Sequence, residues 1–144
     1  MSTISDYMTK THALCDELFT NAENLATESN WTELNSAFQD FVTETGKHFS
    51  KEEDILFPNV ERVMGSSGGP TQVMRMEHQQ MRELIALLSH AVTQKDQSEF
   101  LGEAETLLVL MQQHNMKEEQ ILYPMIDRVI GQESESFIRD MEQI

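Results

Sequence analysis

The sequence HFSKEEDILFP at residues 48–58 returns as HNMKEEQILYP at residues 114–124, an offset of 66 positions. The same offset relates His12 to His78 and Arg62 to Arg128. A period of this length is typical of one supersecondary unit that occurs twice in a chain. We therefore predict that residues 1–144 form a single domain, built from two similar halves at roughly 1–65 and 67–131.

The first half is predicted to be a helical hairpin, because its apolar residues recur at the three- and four-residue spacing of helices that bury one face. One helix is expected over residues 3–27, ending near residues 29–30. Asn30 or Thr32 can cap the next helix. Pro58 is expected to kink or end that second helix, because proline removes a backbone donor.

The second half repeats this pattern after GSSGGP at residues 65–70, which predicts a loop whose proline opens a third helix. That helix is expected to run to about Thr93, and Ser98 to cap a fourth that stops by Gly131. A short tail helix is expected at about 133–143. No stretch alternates with the period of a strand. The predicted fold class is all-α, an antiparallel up-down four-helix bundle of two repeated hairpins with a short C-terminal helix.

The charge balance restricts the partners, since 25 Asp+Glu against 10 Lys+Arg give a formal net charge of −15. Such a surface repels a phosphate backbone and an anionic membrane, so neither nucleic acid nor a membrane is expected as a partner. The N-terminal residues lack the pattern of a secretory signal, and no segment is apolar for the length of a bilayer. The single cysteine, Cys15, is expected to be a small buried side chain. Together these features predict a cytoplasmic protein.

Four histidines are predicted to lie at one height in the bundle. His12 lies about 15 residues before the first turn and His48 about 17 after it, so both are roughly 22 to 26 Å from that turn at 1.5 Å per residue. His78 and His114 each lie about 16 residues from the second turn. Every long helix therefore presents one histidine at the same level.

Two of these histidines are each followed by a glutamate at the fourth position, Glu52 after His48 and Glu118 after His114. This spacing places an imidazole and a carboxylate on one helix face. Four imidazole nitrogens and two carboxylates that could bridge suit two adjacent divalent irons and leave space for a small external ligand. The candidate metal ligands are His12, His48, Glu52, His78, His114 and Glu118.

Other polar residues near these positions are expected to play smaller parts. Glu53 and Glu119 also repeat, but they point about 100° away from the preceding glutamates, so a solvent-facing position is predicted. Glu44 could at most accept a supporting hydrogen bond from a ligand. His90, whose repeat counterpart is Asn24, is predicted to lie on the surface.

Two tyrosines and one arginine leave alternatives open. Tyr7 and Tyr123 are expected to pack in the bundle, with donation of a hydrogen bond to a bound oxygen species as the alternative. Arg82 either places a cation beside a bound anion or an outer carboxylate, or it faces water.

The combination of His12, HFSKE with EEDILFP, Glu77-His78 and HNMKE with EEQILYP resembles the hemerythrin-like HHE cation-binding family over essentially the whole chain. This resemblance implies a four-helix bundle that holds a non-haem di-iron centre, with the six candidate residues as iron ligands. The implied cofactor is two iron ions bridged by carboxylates and an oxo or hydroxo group. Family members include oxygen carriers, sensor domains and proteins that repair iron centres damaged by nitric oxide or oxidants.

The sequence differs from the oxygen carriers of that family in the third and fourth helices. Those carriers have HxxxH and HxxxxD, whereas here Arg82 follows His78 at the fourth position and Glu118 follows His114 at the fourth. The set of four histidines and two glutamates is most similar to that of the iron-centre repair proteins.

Three hypotheses for function follow. The first is a di-iron protein that binds or reacts with oxygen, nitric oxide or peroxide in stress response or iron-centre repair. The second is a reversible oxygen-binding or storage protein. The third is a non-catalytic module that binds iron or another divalent metal and signals to an unidentified protein partner. Whether the protein is an enzyme is left open by the sequence.

Overall fold

The computed structural model describes residues 2–65 and 69–144, and these residues contain seven α-helices and no strand. Two π-helical segments, Lys51–Leu56 and Glu118–Leu122, join α2 to α3 and α5 to α6, and a 3-10 turn at Gly131–Glu133 precedes α7. The predicted all-α fold class is confirmed. The α-helices are α1 Ile4–Thr27, α2 Trp31–Ser50, α3 Phe57–Met64, α4 Pro70–Gln94, α5 Gln97–Lys117, α6 Tyr123–Ile130 and α7 Ser134–Glu142.

The four long segments of the bundle contact one another in a closed order. Helix α1 packs on α2 and α4 packs on α5, while α1 also contacts α5 and α2 contacts α4. Of the predicted loop GSSGGP, residues 66–68 lie outside the described residues. Gly65 before them ends α3 in the left-handed conformation at φ 68°. Within the described ranges, no helix combines the length and apolar character needed to cross a bilayer.

The two hairpin turns have the same conformation, as the repeat predicts. Ser29 and its counterpart Lys95 both adopt positive φ, 55° and 54°. The side chain of the next residue, Asn30 or Asp96, then caps the following helix by accepting a backbone N–H hydrogen bond. The prediction that Ser98 caps the fourth helix is wrong, because Asp96 already satisfies an exposed N–H of that helix.

The helical conformation continues past Pro58 into α3, so the expectation that this proline ends the second helix is wrong, and a kink there stays a prediction. The chain instead passes through the π-helical segment Lys51–Leu56, where the N–H of Phe57 bonds the carbonyl of Glu52. Such a turn accommodates one additional residue, which relieves the clash of a proline ring with the preceding helical turn. The same arrangement precedes Pro124. Both segments begin at or next to a candidate metal ligand.

Two apolar clusters fill the bundle, one at each end. The cluster beside the hairpin turns includes Phe19, Phe38, Phe41, Leu88, Phe100 and Leu107. The cluster at the other end includes Ile4, Met8, Leu56, Phe57, Ile126 and Met141. Phe137 and Met141 of α7 close that end, and the tail helix predicted at about 133–143 is thereby observed at nearly the same bounds. The buried histidines lie between the two clusters.

Candidate metal centre

The structure brings all six candidate ligands into one buried cluster in the middle of the bundle. The exposed fraction is 0% for Glu52, Glu118 and His78, and it does not exceed 4% for His12, His48 and His114. The predicted equal height of the histidines is observed, since the ring centroids of His12 and His48 are 4.4 Å apart and those of His78 and His114 are 5.0 Å apart. Their role as ligands remains a prediction.

Glu52 lies between histidines of both hairpins. Its Oε1 is 3.2 Å from Nε2 of His48 and 3.1 Å from Nε2 of His78. Because these two imidazoles come from different halves of the repeat, this carboxylate contacts candidate ligands of both hairpins.

Glu118 occupies the equivalent position in the second hairpin. Its Oε1 is 2.9 Å from Nε2 of His12, 3.1 Å from Nε2 of His114 and 3.8 Å from Nε2 of His48. The Nε2 atoms of all four histidines therefore face the two carboxylates. This convergence of four nitrogens and two carboxylates is the donor set that suits a pair of adjacent divalent ions.

The other nitrogen of two histidines is held by the repeated glutamates that were predicted to face solvent. Nδ1 of His12 is 2.7 Å from Oε2 of Glu119, and Nδ1 of His78 is 2.6 Å from Oε2 of Glu53. The solvent-facing prediction is wrong for their carboxylates. Each reaches a neighbouring helix and accepts a hydrogen bond on the outer side of an imidazole, which fixes the ring orientation and directs Nε2 inward.

The outer nitrogens of the other two histidines contact a second repeated position, which differs between the halves. Nδ1 of His114 is 2.8 Å from Oε1 of Glu77. Nδ1 of His48 is instead 2.6 Å from Oγ1 of Thr11, the counterpart of Glu77. The Thr11 hydroxyl donates to the carbonyl of Met8 at 2.9 Å, so its oxygen accepts from His48. All four imidazoles therefore have a fixed outer partner.

Two cations hold the outer carboxylates of the second hairpin's histidines. Arg82 donates to both oxygens of Glu53 at 2.8 and 3.0 Å, which selects the outer-carboxylate alternative for this arginine. Lys117 donates to Glu77. Burial alone would raise the pKa of Glu53, but the hydrogen bonds from His78 and Arg82 lower that pKa to about 2. Glu53 is therefore an ionised acceptor at neutral pH.

Tyr123 places a hydroxyl inside the cluster, which corrects the expectation that it only packs. The oxygen lies 2.9 Å from Oε2 of Glu52 and 3.0 Å from Oε1 of Glu118. Burial first, and the two carboxylates next, raise the Tyr123 pKa well above its ordinary value, so the phenol stays protonated. It is a hydrogen-bond donor directed at the carboxylates.

The π-helical segment explains why the sequence did not reveal this residue. In an α-helix Tyr123, five positions after Glu118, would point about 140° away from it. In the segment Glu118–Leu122 the N–H of Tyr123 bonds the carbonyl of Glu118, so the fifth residue comes one turn along on the same face. The proline that follows each segment, Pro58 or Pro124, was the sequence feature that could have indicated this irregular turn.

The electrostatics of the metal-free cluster favour protonated imidazoles. Burial lowers the pKa of His48, but the adjacent Glu52 and Glu118 carboxylates outweigh burial and raise that pKa to about 10. Burial likewise opposes the charge on His78, whose pKa is nevertheless raised to about 9 by Glu52 and Glu53. A cation that enters the cluster replaces these protons.

Unpaired atoms show that the cluster suits a metal. Five buried side-chain atoms make no hydrogen bond within the described residues. Four of them lie in this cluster, and the fifth is Oγ1 of Thr45. A buried polar atom without a partner is costly, and a metal ion satisfies nitrogen and carboxylate donors together. The four unpaired atoms in the cluster are Oε1 of Glu52, Nε2 of His78, Nε2 of His114 and Oε2 of Glu118.

The remaining residues considered from the sequence lie outside this cluster. Glu44 pairs with Lys47 at 3.6 Å. His90 is exposed, as predicted. The Tyr7 hydroxyl accepts a hydrogen bond from Lys51 at 2.9 Å. Burial raises the pKa of the Cys15 thiol to about 11, which keeps it protonated and unreactive.

Comparison with known proteins agrees with this geometry. Residues 3–126 match the family model described as hemerythrin HHE cation binding domain. An uncharacterized hemerythrin-like protein of Schizosaccharomyces pombe is 26% identical over 134 residues, which are 92% of this chain and 64% of that protein. The iron-sulfur cluster repair protein YtfE of Escherichia coli is 44% identical over 48 residues, 33% of this chain and 22% of the repair protein. The chain thus spans less than two thirds of either relative. No solved structure gave a significant match.

Proposed function

We propose, since this chain belongs to the family of hemerythrin HHE cation-binding domains, that it is a non-haem di-iron protein that binds or reacts with a small oxidant or diatomic molecule. The proposed setting is the response to oxidative or nitrosative stress or the repair of iron centres. The observation that supports this most strongly is the closed cluster of four imidazoles and two carboxylates, each carboxylate lying between histidines of both hairpins.

The residues fit two irons in type and in number. The proposed ligands are His12, His48, Glu52, His78, His114 and Glu118. Iron held by them would supply redox chemistry toward oxygen, nitric oxide or peroxide. The chain's own contribution is to fix each imidazole through its outer nitrogen and to keep both carboxylates directed at the centre.

The surroundings of the cluster select for a small and weakly polar reactant. The two apolar clusters enclose the cluster from both ends of the bundle, which limits access by bulk water and by large substrates. The Tyr123 hydroxyl lies between the two carboxylates. Its protonated phenol can donate a hydrogen bond to a small oxygen-containing molecule or return a proton to it.

The resemblance to an iron-sulfur cluster repair protein supports the repair setting over oxygen storage. The matched 48 residues are 44% identical. In addition, Arg82 pairs with Glu53, so it supports a ligand rather than supplying an additional one. The centre is therefore proposed to contain four histidines, a set that resembles that of the iron-centre repair proteins.

Metal analysis followed by optical spectroscopy on the same sample tests the proposal. The purified protein should contain about two irons per chain, and the reduced protein should oxidise on stepwise exposure to oxygen without recovering when oxygen is removed. A colour that appears and bleaches reversibly would indicate the oxygen-binding alternative. Iron that remains inert to oxygen, nitric oxide and peroxide would indicate the sensing module. A protein that binds no iron would refute the di-iron centre.

A further inference from the structure

We infer that the two metal positions of this centre are unequal. The position between His78 and His114, here the tight position, fills first, and the position between His12 and His48, here the labile position, fills second and exchanges its ion more readily. The inference rests on the proposed function, because it concerns the order in which the same centre takes up metal.

The number of donors differs between the two positions. Four side chains, Glu52, His78, His114 and Glu118, each offer one atom within 4.8 Å of the others. Around the labile position only three do so, His12, His48 and Glu118. Glu52 approaches His48 at 3.2 Å, but it does not converge with all three. The tight position thus has one more donor already converged, and a negatively charged one, which favours it for the first divalent cation.

Hydrogen bonds oppose metal entry at the labile position but not at the tight one. Nε2 of His12 is already bonded to Glu118 at 2.9 Å, and the Tyr123 hydroxyl lies 3.3 Å from it. The same hydroxyl lies 3.4 Å from Nε2 of His48. By contrast, Nε2 of His78 and Nε2 of His114 each lie 3.1 Å from a carboxylate oxygen but form no hydrogen bond within the described residues. A metal therefore displaces existing bonds at the labile position and satisfies unpaired donors at the tight position.

The outer partners of the histidines differ in the same direction. Both tight-position imidazoles donate to carboxylates, those of Glu53 and Glu77, and each of these carboxylates is held by a cation. A carboxylate partner increases the basicity of a ligating imidazole. At the labile position His12 also donates to a carboxylate, that of the partly exposed Glu119. His48, however, donates to the neutral Thr11 hydroxyl, which increases basicity less.

One feature acts in the opposite direction and is weaker. Asp16 occupies the repeat position of Arg82, and with Glu119 it adds negative charge beside His12 that would attract a cation to the labile position. The Glu119 side chain is 36% exposed, and Asp16 is exposed. Solvent and salt screen such charges, whereas the weaker convergence of Glu52 and the displaced hydrogen bonds act inside the buried cluster.

An anaerobic titration of the metal-free protein with Fe²⁺ alone, followed by calorimetry and by the absorption spectrum, tests the order. The wild-type protein should bind one equivalent tightly and a second at least about tenfold more weakly. His12→Ala should remove the second step and keep the first. His78→Ala, the matched variant at the repeat position, should remove the tight step.

A milder pair of variants keeps the test decisive if a ligand variant fails to fold. Glu77→Gln should lower the Fe²⁺ affinity of the first step by roughly 10- to 100-fold, the range seen when a metal ligand loses its outer hydrogen-bond partner. Thr11→Val should weaken only the second step. Thr11→Glu should reduce the difference in Fe²⁺ affinity between the first and the second step.

The outcomes separate this inference from the proposed function. Two equivalents that bind in one step of equal affinity would overturn the inequality and leave the di-iron centre intact. A tight step that survives His78→Ala and disappears in His12→Ala would reverse the assigned order. Failure to bind any Fe²⁺ would refute the proposed function itself.

Discussion

Tyr123 and Phe57 occupy the same position in the two halves of the repeat, but only Tyr123 brings a hydroxyl into the centre, 2.9 Å from Oε2 of Glu52. The Phe57 ring instead stacks on His78 with centroids 5.9 Å apart. The duplicated hairpins thus form a centre with two chemically different sides.

Replacing Tyr123 should separate metal binding from reactivity. Tyr123→Phe removes a donor that is not one of the six proposed ligands, so the iron content should stay at about two per chain. The rate at which the reduced protein oxidises should fall at least about tenfold if the phenol supplies a proton or a hydrogen bond. Stopped-flow absorption with oxygen, nitric oxide and peroxide measures this rate. Phe57→Tyr is the matched control, and an unchanged rate in Tyr123→Phe would show that the hydroxyl only packs.

Replacing a proposed ligand should reduce metal content, whereas replacing the surface histidine should not. His114→Ala should lower bound iron from about two ions to one or fewer, and it should reduce the thermal stability of the metal-loaded protein, because bound metal contributes to folding. His90 is exposed, so His90→Ala should change neither quantity. Metal analysis and calorimetric melting of both variants measure the effect. Loss of iron in His90→Ala with retention in His114→Ala would invalidate the site.

The pH dependence of the metal-free protein follows from its raised histidine pKa values. The pKa is about 10 for His48 and about 9 for His78 in the fold, against about 6.5 in an unfolded chain. Their stabilising charge is fully present below pH of about 6.5 and is lost as the pH rises through about 9 to 10. Urea unfolding of the metal-free protein should therefore show stability that declines over this window. A flat profile would contradict the raised values.

Metal affinity should have the opposite pH dependence, because a metal ion competes with the same protons. The apparent affinity should rise by about tenfold per pH unit for each proton displaced, over the range below the raised pKa values. Competition with a chelator of known affinity between pH 6 and 8 measures the slope. An affinity that is constant over this range would show that the imidazoles bind metal without losing a proton.

The hairpin turns offer a stability test that does not involve the centre. Lys95 adopts positive φ, at 54°, a conformation that disfavours residues other than glycine. Lys95→Gly should raise the free energy of unfolding by roughly 0.5 to 1 kcal/mol, measured by urea denaturation. Gln94, the last residue of α4, provides the control. Gln94→Gly should lower stability by up to about 1 kcal/mol, and the same sign for both variants would refute the strain at Lys95.

Much of the fold could be predicted because the sequence pattern of one hairpin occurs twice in the chain. The offset of 66 residues indicated two equivalent hairpins, and the distance of each histidine from its turn predicted that His12 and His48 would meet. The cap at Asp96 was also within reach, because Asp96 is the repeat counterpart of Asn30 and Ser98 is the counterpart of Thr32. The repeat thus indicates Asp96 and Ser98 as alternatives, and the structure selects Asp96.

The outer partners could not be predicted, because they depend on how neighbouring helices are rotated against each other. The spacing between Glu52 and Glu53 correctly indicated different directions, but it did not show that the Glu53 direction leads to Nδ1 of His78 on another helix. The two nitrogens of an imidazole point to opposite sides of the ring. When Nε2 of a candidate ligand points into the cluster, its Nδ1 therefore points to a neighbouring helix, where its hydrogen-bond partner lies.

The sequence by itself determined the bundle, the pairing of its halves and the six residues that converge, because regular helices convert spacing along the chain into height and direction. Only the tertiary structure decided what makes the two sides different. In the π-helical segments the usual relation between residue spacing and side-chain direction does not hold, and Tyr123 therefore points into the cluster. Packing between helices then gave His48 a hydroxyl partner and His114 a carboxylate. Such contacts arise between distant segments, and no local periodicity encodes them.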